Sequence, residues 1–415
     1  MAKNHSYDFV VFGATSFVGQ ILTRYLAGRH PVGGDIRWAI AGRSGAKLES
    51  LRESLGDAAK SLEILIADSN DADSLTAMCQ SARVIVSTVG PYALYGEPLI
   101  KACVETGTDY CDLTGEVQWI KRMIDKYEQQ ARESGARIVH CCGFDSIPSD
   151  LGVWFLQGES RRKFGKPCQR VKMRVKAAKG GISGGTAASM VNVFAEAVKD
   201  PALRKELGDP YSICPPSHKP GVRQPDVKTP EFDEDFNAWA GPFIMAVINT
   251  RIVHRTNALL NASYGKDFEY DEAALVGKGF KGRLTGLGFS GALGAFAAAA
   301  ALKPTRWLLE KYALPKPGEG PSEAQQNGGY YDLRFVGKTP EGQSVRVKVT
   351  GDRDPGYGST GKMLGEATVC LAMDFANKDG RGGFWTPASL MGGKLVERLT
   401  ASAGLTFEVL ETKPE

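Results

Sequence analysis

The stretch Gly13-Ala14-Thr15-Ser16-Phe17-Val18-Gly19 separates an apolar run at 9–12 from a helical pattern through Ile21, Leu22, Tyr25 and Leu26. In the order strand, glycine-rich turn, helix, such a stretch binds anions. Gly13 allows the tight turn, and Gly19 lets the helix lie close on the strand. Unpaired amides at the helix start, among Thr15, Ser16, Phe17 and Val18, suit a diphosphate. Ser16 stands where a middle glycine is common, and its hydroxyl could donate to a phosphate oxygen. The plain alternative is any strand-turn-helix of an α/β protein.

A second run, 36–41, ends in Gly42-Arg43. An NAD-selective site usually places Asp or Glu here to accept from the ribose hydroxyls. No acid occurs between Ile36 and Ser44, whereas the Arg43 guanidinium suits a 2′-phosphate. NADP is therefore favoured, with NAD left open. Asp68, after a third run at 62–67, either reaches the adenine edge or caps the helix that starts near Asp71. Gly90 and Pro91 follow a fourth run at 84–89 and would shape the loop beside the ribose and nicotinamide. Tyr92 and Tyr95 are the nearest phenols to that ring, and packing within the loop is the competing role for each. Asp145 is a candidate for positioning substrate or relaying a proton, or else belongs to a helix start with Pro148 in its first turn.

These residues need a scaffold. Strands and helices alternate up to a sixth strand at 137–140, which predicts a doubly wound parallel sheet. Residues 1–150 read as a dinucleotide-binding domain. Residues 151–355 read as an α+β domain for substrate or dimerisation, and 356–415 as a return to the first domain. The glycine cluster 180–186 either holds an anion at a helix start or is a flexible loop. Arg251 and His254 either face substrate or are satisfied structural groups.

Composition narrows the classes. Fifty-one basic residues against 47 acidic ones leave a charge of +4, with no basic arm, which argues against nucleic acid as the main partner. Eight cysteines form no C-x-x-C pair, so free thiols in a reducing compartment, the cytoplasm, are expected and no metal site is. Residues 284–302 carry no charge and are just long enough to span a bilayer, yet are mostly Ala and Gly. The segment could span a membrane, lie on one, line an acyl pocket or be a buried helix.

Five motifs occur in order: Gly13 to Gly19; Ala41-Gly42-Arg43; Val89-Gly90-Pro91-Tyr92 with Tyr95-Gly96-Glu97-Pro98; Asp112-Leu113-Thr114-Gly115-Glu116; and Gly143-Phe144-Asp145-Ser146-Ile147-Pro148-Ser149-Asp150. With Gly383-Phe384-Trp385-Thr386-Pro387-Ala388, the chain resembles the saccharopine dehydrogenase-like oxidoreductases, closest to the trans-acting enoyl reductase branch. The resemblance implies a Rossmann-type NAD(P)-binding domain joined to an α+β domain. It also implies reduction of enoyl chains derived from polyketides or lipids. Two alternatives stay open: a saccharopine-type reductase of an imine or amino-acid adduct, and a non-catalytic NADP-binding scaffold associated with lipid. The expected partners are a small-molecule or acyl-lipid substrate, a second copy of the chain, and a membrane surface met through 284–302.

Overall fold

The computed structural model describes residues 5–181, 184–218, 220–314, 319–375 and 380–410. Ile182 and Ser183 of the glycine cluster lie outside the described residues. In chain order the strands are β1 (Tyr7–Phe12), β2 (Trp38–Gly42), β3 (Glu63–Ile66), β4 (Ala82–Ser87), β5 (Asp109–Asp112), β6 (Arg137–Val139), β7 (Arg170–Lys179), β8 (Glu231–Asp233), β9 (Ala238–Pro242), β10 (Glu269–Gly277), β11 (Tyr330–Lys338), β12 (Ser344–Gly351), β13 (Gly383–Trp385) and β14 (Leu405–Leu410). They form two seven-stranded sheets in two compact units.

The first unit comprises Met1–Phe144, Pro317–Gly320 and Gly356–Ala403. Its sheet is wholly parallel, in the order β13-β6-β5-β4-β1-β2-β3. Continuous apolar runs make this possible. Phe9, Val10, Val11, Val84, Ile85 and Val86 are fully buried, as strands covered on both faces must be. The strand order reverses between β1 and β4. Ligands of such sheets bind beyond the carboxyl ends at that reversal. The late segment builds onto this unit. The helix Thr360–Val369 brings Gly361 against Ile21 and Gly365 against Tyr25, closer than a Cβ would allow. The Tyr25 hydroxyl donates to Glu366 at 2.6 Å.

The second unit comprises Asp145–Lys316, Pro321–Pro355 and the chain from Gly404. Its mixed sheet has the order β14-β12-β11-β7-β10-β9-β8, with β7 and β10 parallel and the other neighbours antiparallel. The helix Ile147–Phe164 packs on this sheet, Gly152 lying against the Phe335 ring. Strand β7 buries Val171, Met173 and Val175, as its alternation predicts, but it also buries Arg174. Ion pairs from Arg174 to Asp233 and Asp271, both at 2.7 Å, offset the cost of removing that cation from water.

The boundaries differ from those read in the sequence. The second unit begins at Asp145 rather than after residue 150, because Ser146 and Ser149 bond into it. The returning segment ends at Ala403, and β14 is an antiparallel partner of β12. An alternating strand such as Leu405–Leu410 could join either sheet. Its half-exposed pattern suits the mixed one, which has an open face.

Candidate functional site

The turn after β1 is held tightly. Gly13 has φ +82°, and a Cβ there would lie 2.6 Å from Val89 Cγ2. A Cβ on Gly19 would lie 2.2 Å from the Gly13 carbonyl oxygen. Ser16 caps the helix Phe17–Arg29, its Oγ accepting from the Gly19 amide at 2.9 Å. The same Oγ lies 2.9 Å from Thr88 Oγ1, which donates to the Gly13 carbonyl at 2.9 Å. With the Thr88 proton so used, Ser16 donates to Thr88. The expectation that its hydroxyl reaches a phosphate gives way to this internal chain. The amides of Thr15, Phe17 and Val18 have no hydrogen-bond partner among the described residues. The Phe17 ring packs edge-on against Tyr357 at 5.2 Å, so its contribution to a ligand is its amide. Three unpaired N–H groups beyond β1 at the start of a long helix fit a diphosphate.

Gly42 ends β2 in the core, where a Cβ would make only ordinary contact with Leu48 at 3.8 Å. Arg43 follows it, exposed and without a hydrogen bond or ion pair among the described residues. That free guanidinium fits a 2′-phosphate. Asp68 does not cap the next helix. The cap is Asp71, which accepts from the amides of Asp73 and Ser74, because it is the residue directly before Ala72. Asp68 instead accepts from the backbone and side chain of Asn70, half-buried near the end of β3.

Gly90 and Pro91 are joined by a cis peptide in the loop after β4. The structure separates the two phenols of that loop. Tyr92 is buried, stacks near Trp119 and donates its hydroxyl to the Ser87 carbonyl at 2.9 Å. Its proton is engaged inside the fold, so it leaves the list of proton donors. Tyr95 is 42% exposed, and its phenol has no partner among the described residues. The loop is anchored by a residue that the sequence did not single out for a role. The buried Glu116 carboxylate accepts from the Tyr92 and Ala93 amides, each at 2.9 Å. Gly96 completes the packing, since a Cβ there would lie 2.5 Å from the Trp119 ring.

A second buried network ties β5 to β6. Asp112 accepts from His140 Nδ1 at 2.7 Å, the Tyr110 hydroxyl at 3.0 Å, and the amides of Thr114 and Cys141. Burial, reinforced by the Asp112 carboxylate, holds the Tyr110 phenol well above its ordinary value. Tyr110 is therefore a fixed donor to Asp112. The signal for this network lay in the Asp112-Leu113-Thr114-Gly115-Glu116 motif, but its partner His140 is distant in sequence.

Asp145 belongs to the second unit, half-buried just before the helix Ile147–Phe164, whose first turn contains Pro148. Its neighbours form the anchor. Ser146 donates to Asn249 Oδ1 at 3.1 Å, and Asn249 Nδ2 donates to Ser149 Oγ and to Glu272. Tyr270 donates to the other Glu272 oxygen at 2.6 Å. Burial pushes the Glu272 carboxyl up to about 7, against the pull of these donors. The role of Gly143 to Asp150 seen here is to join a helix start to this network. Arg251 and His254 are likewise internal. Arg251 donates to the carbonyls of Val247 and Leu207. His254 packs on Tyr211 at 4.9 Å, and burial lowers it to about 3, leaving it neutral.

A family model described as the saccharopine dehydrogenase NADP binding domain matches residues 9–139. A Mycobacterium tuberculosis protein, named provisionally as a trans-acting enoyl reductase, is 41% identical over 98% of both chains. The trans-acting enoyl reductases of Mycobacterium bovis and Mycobacterium ulcerans are 36% and 35% identical, over 95% and 96% of each chain. Apo saccharopine dehydrogenase (L-Glu forming) from Saccharomyces cerevisiae shares the fold. Its TM-score is 0.53 at 13% identity, over 97% of this chain and 99% of that one. With its NADP-binding first unit, the chain belongs to the saccharopine dehydrogenase-like oxidoreductases, within the group of the trans-acting enoyl reductases.

Proposed function

We propose that the chain reduces the carbon–carbon double bond of an enoyl group on a lipid- or polyketide-derived acyl chain. NADPH, when bound, supplies the hydride. The observation that carries the reading is the pairing of three free amides after β1 with the unpartnered Arg43 after β2, in a chain related end to end to trans-acting enoyl reductases. The amides of Thr15, Phe17 and Val18 hold the diphosphate, and Arg43 holds the 2′-phosphate. Glu116 fixes the loop after β4, and Tyr95 on that loop has a proton free to give to the carbon next to the one reduced. None of the eight cysteines forms a disulfide, which supports a reducing compartment and hence a cytoplasmic site of action.

The test is NADPH consumption by the pure protein with enoyl thioesters of increasing chain length, beside a keto-acid and amino-acid pair of the saccharopine type. Turnover of the enoyl series is expected. Tight NADPH binding with no turnover of any enoyl compound overturns the substrate assignment. Turnover of the keto-acid pair alone replaces it with imine reduction.

A further inference from the structure

The helix Gly279–Ala301 reverses the usual rule for a soluble helix. Its buried positions are Gly282, Gly286 and Ala300. A Cβ on Gly282 would lie 2.4 Å from the Gly277 backbone, and one on Gly286 would lie 2.9 Å from Pro230. The helix therefore rests its backbone against β9 and β10 along a glycine face. Its opposite face is apolar and open. Phe280, Leu284 and Leu287, spaced four and three apart, form one stripe, and Phe280 is 72% exposed. An apolar stripe belongs against a core; here the core side is glycine and the outer side is phenylalanine and leucine.

Past the end of this helix the surface continues with Trp307 and Tyr312, which are 54% and 70% exposed. Lys311 lies over both rings, 4.5 and 5.1 Å from their centroids. Charge follows the same surface. From Lys278 to Tyr312 the chain has six cations, Lys278, Lys281, Arg283, Lys303, Arg306 and Lys311, against one acid, Glu310. Arg283 lies over Trp239, and the others flank the two ends of the apolar stretch.

We infer that this face docks on the surface of an anionic membrane, with the helix Gly279–Ala301 lying in the interface plane. An apolar stripe, aromatic side chains at one end and an excess of cations at both ends match the layers of such a surface: acyl chains, interface and phosphate. The helix does not cross the bilayer, because its glycine face is already packed on the second sheet. The membrane-spanning role left open for 284–302 is thereby replaced by a surface role. Docking is independent of the reductase reading. A chain that binds membranes and turns over no enoyl compound keeps this inference and loses the other.

The test is flotation of the full chain with vesicles of phosphatidylcholine alone, or of phosphatidylcholine mixed with phosphatidylglycerol. Flotation with the mixed vesicles, weakened by added salt, is expected. Leu284→Glu with Leu287→Glu should lower the bound fraction at least tenfold, with NADPH affinity unchanged as the sign of an intact fold. A second variant, Lys303→Glu with Arg306→Glu, changes one exposed and one half-buried cation that makes no ion pair among the described residues, and should remove the preference for anionic vesicles. Three results would overturn the inference: absence from both vesicle types, equal binding to both, or a stable dimer that ignores vesicles and separates in the leucine variant. The last would assign the face to a second copy of the chain.

Discussion

The turns that follow β1 and β4 are built alike and used differently. Both lie beyond the carboxyl ends of central strands, and both open a helical segment whose first amides lack intrahelical partners. After β4 the protein supplies its own anion, Glu116, which takes the Tyr92 and Ala93 amides. After β1 the helix has no acidic residue in its first turn, and Thr15, Phe17 and Val18 keep their donors among the described residues. The difference separates a closed helix start from one reserved for a ligand. A carboxylate already in place means architecture; its absence beside tight glycine packing means an incoming anion.

The comparison can be broken most decisively at Gly19. Gly19→Val forces a Cβ into the Gly13 carbonyl and should abolish NADPH binding in calorimetry. Binding retained within about tenfold would show that the turn is not the anion site. Tyr95→Phe should lower kcat about 100-fold, with NADPH affinity unchanged, if the open phenol rather than the enclosed Tyr92 gives the proton. Arg43→Ala should weaken NADPH about 30-fold, roughly 2 kcal/mol, and leave NADH unaffected in the same titration. Glu116→Gln sharpens the contrast from the other side. One amide donor would then meet an NH₂ group, costing about 1–2 kcal/mol of stability in denaturant titration, while NADPH affinity stays within about twofold.

The smallest effect concerns Glu272, a buried carboxylate served by side chains instead of backbone amides. Burial raises it to about 7, so the folded chain keeps a proton that the unfolded chain releases near roughly 4.3. Its stabilising contribution is whole below the unfolded value, declines as pH rises towards 7, and is flat above. The melting temperature should fall by roughly one to two degrees per pH unit over that window, and Glu272→Gln should flatten the slope.

The first sheet was legible because its central strands β1, β2 and β4 are largely apolar runs, and that pattern marks burial on both faces. Arg43 was legible because the acid usual at that place was missing. Tyr92 and Tyr95 could not be told apart from their position near one loop. Which phenol turns inward depends on the Ser87 carbonyl and on Trp119, far along the chain. Asp68 and Asp71 both precede a helix, and only the helix boundary decides between them. Glu116 was visible as a letter in a motif, but its partner amides lie 24 and 23 residues earlier. Hydropathy marked 284–302 as unusual, and several placements share that pattern. Exposure of the apolar face, with glycine inward, is a fact of packing that hydropathy alone does not contain.

The first sheet takes its outermost strand, β13, from residues 383–385, and its opening helix leans on Gly361 and Gly365. The nucleotide-binding half is therefore incomplete when ribosomes have made only the stretch 9–139 that matches the family model. At that stage β6 offers a bare edge to any neighbouring chain, and the helix Phe17–Arg29 lacks its cover. The sheet closes on this side only once residues 383–385 have been made. A recombinant fragment that ends at 139 leaves that edge, and the helix face at Ile21 and Tyr25, uncovered.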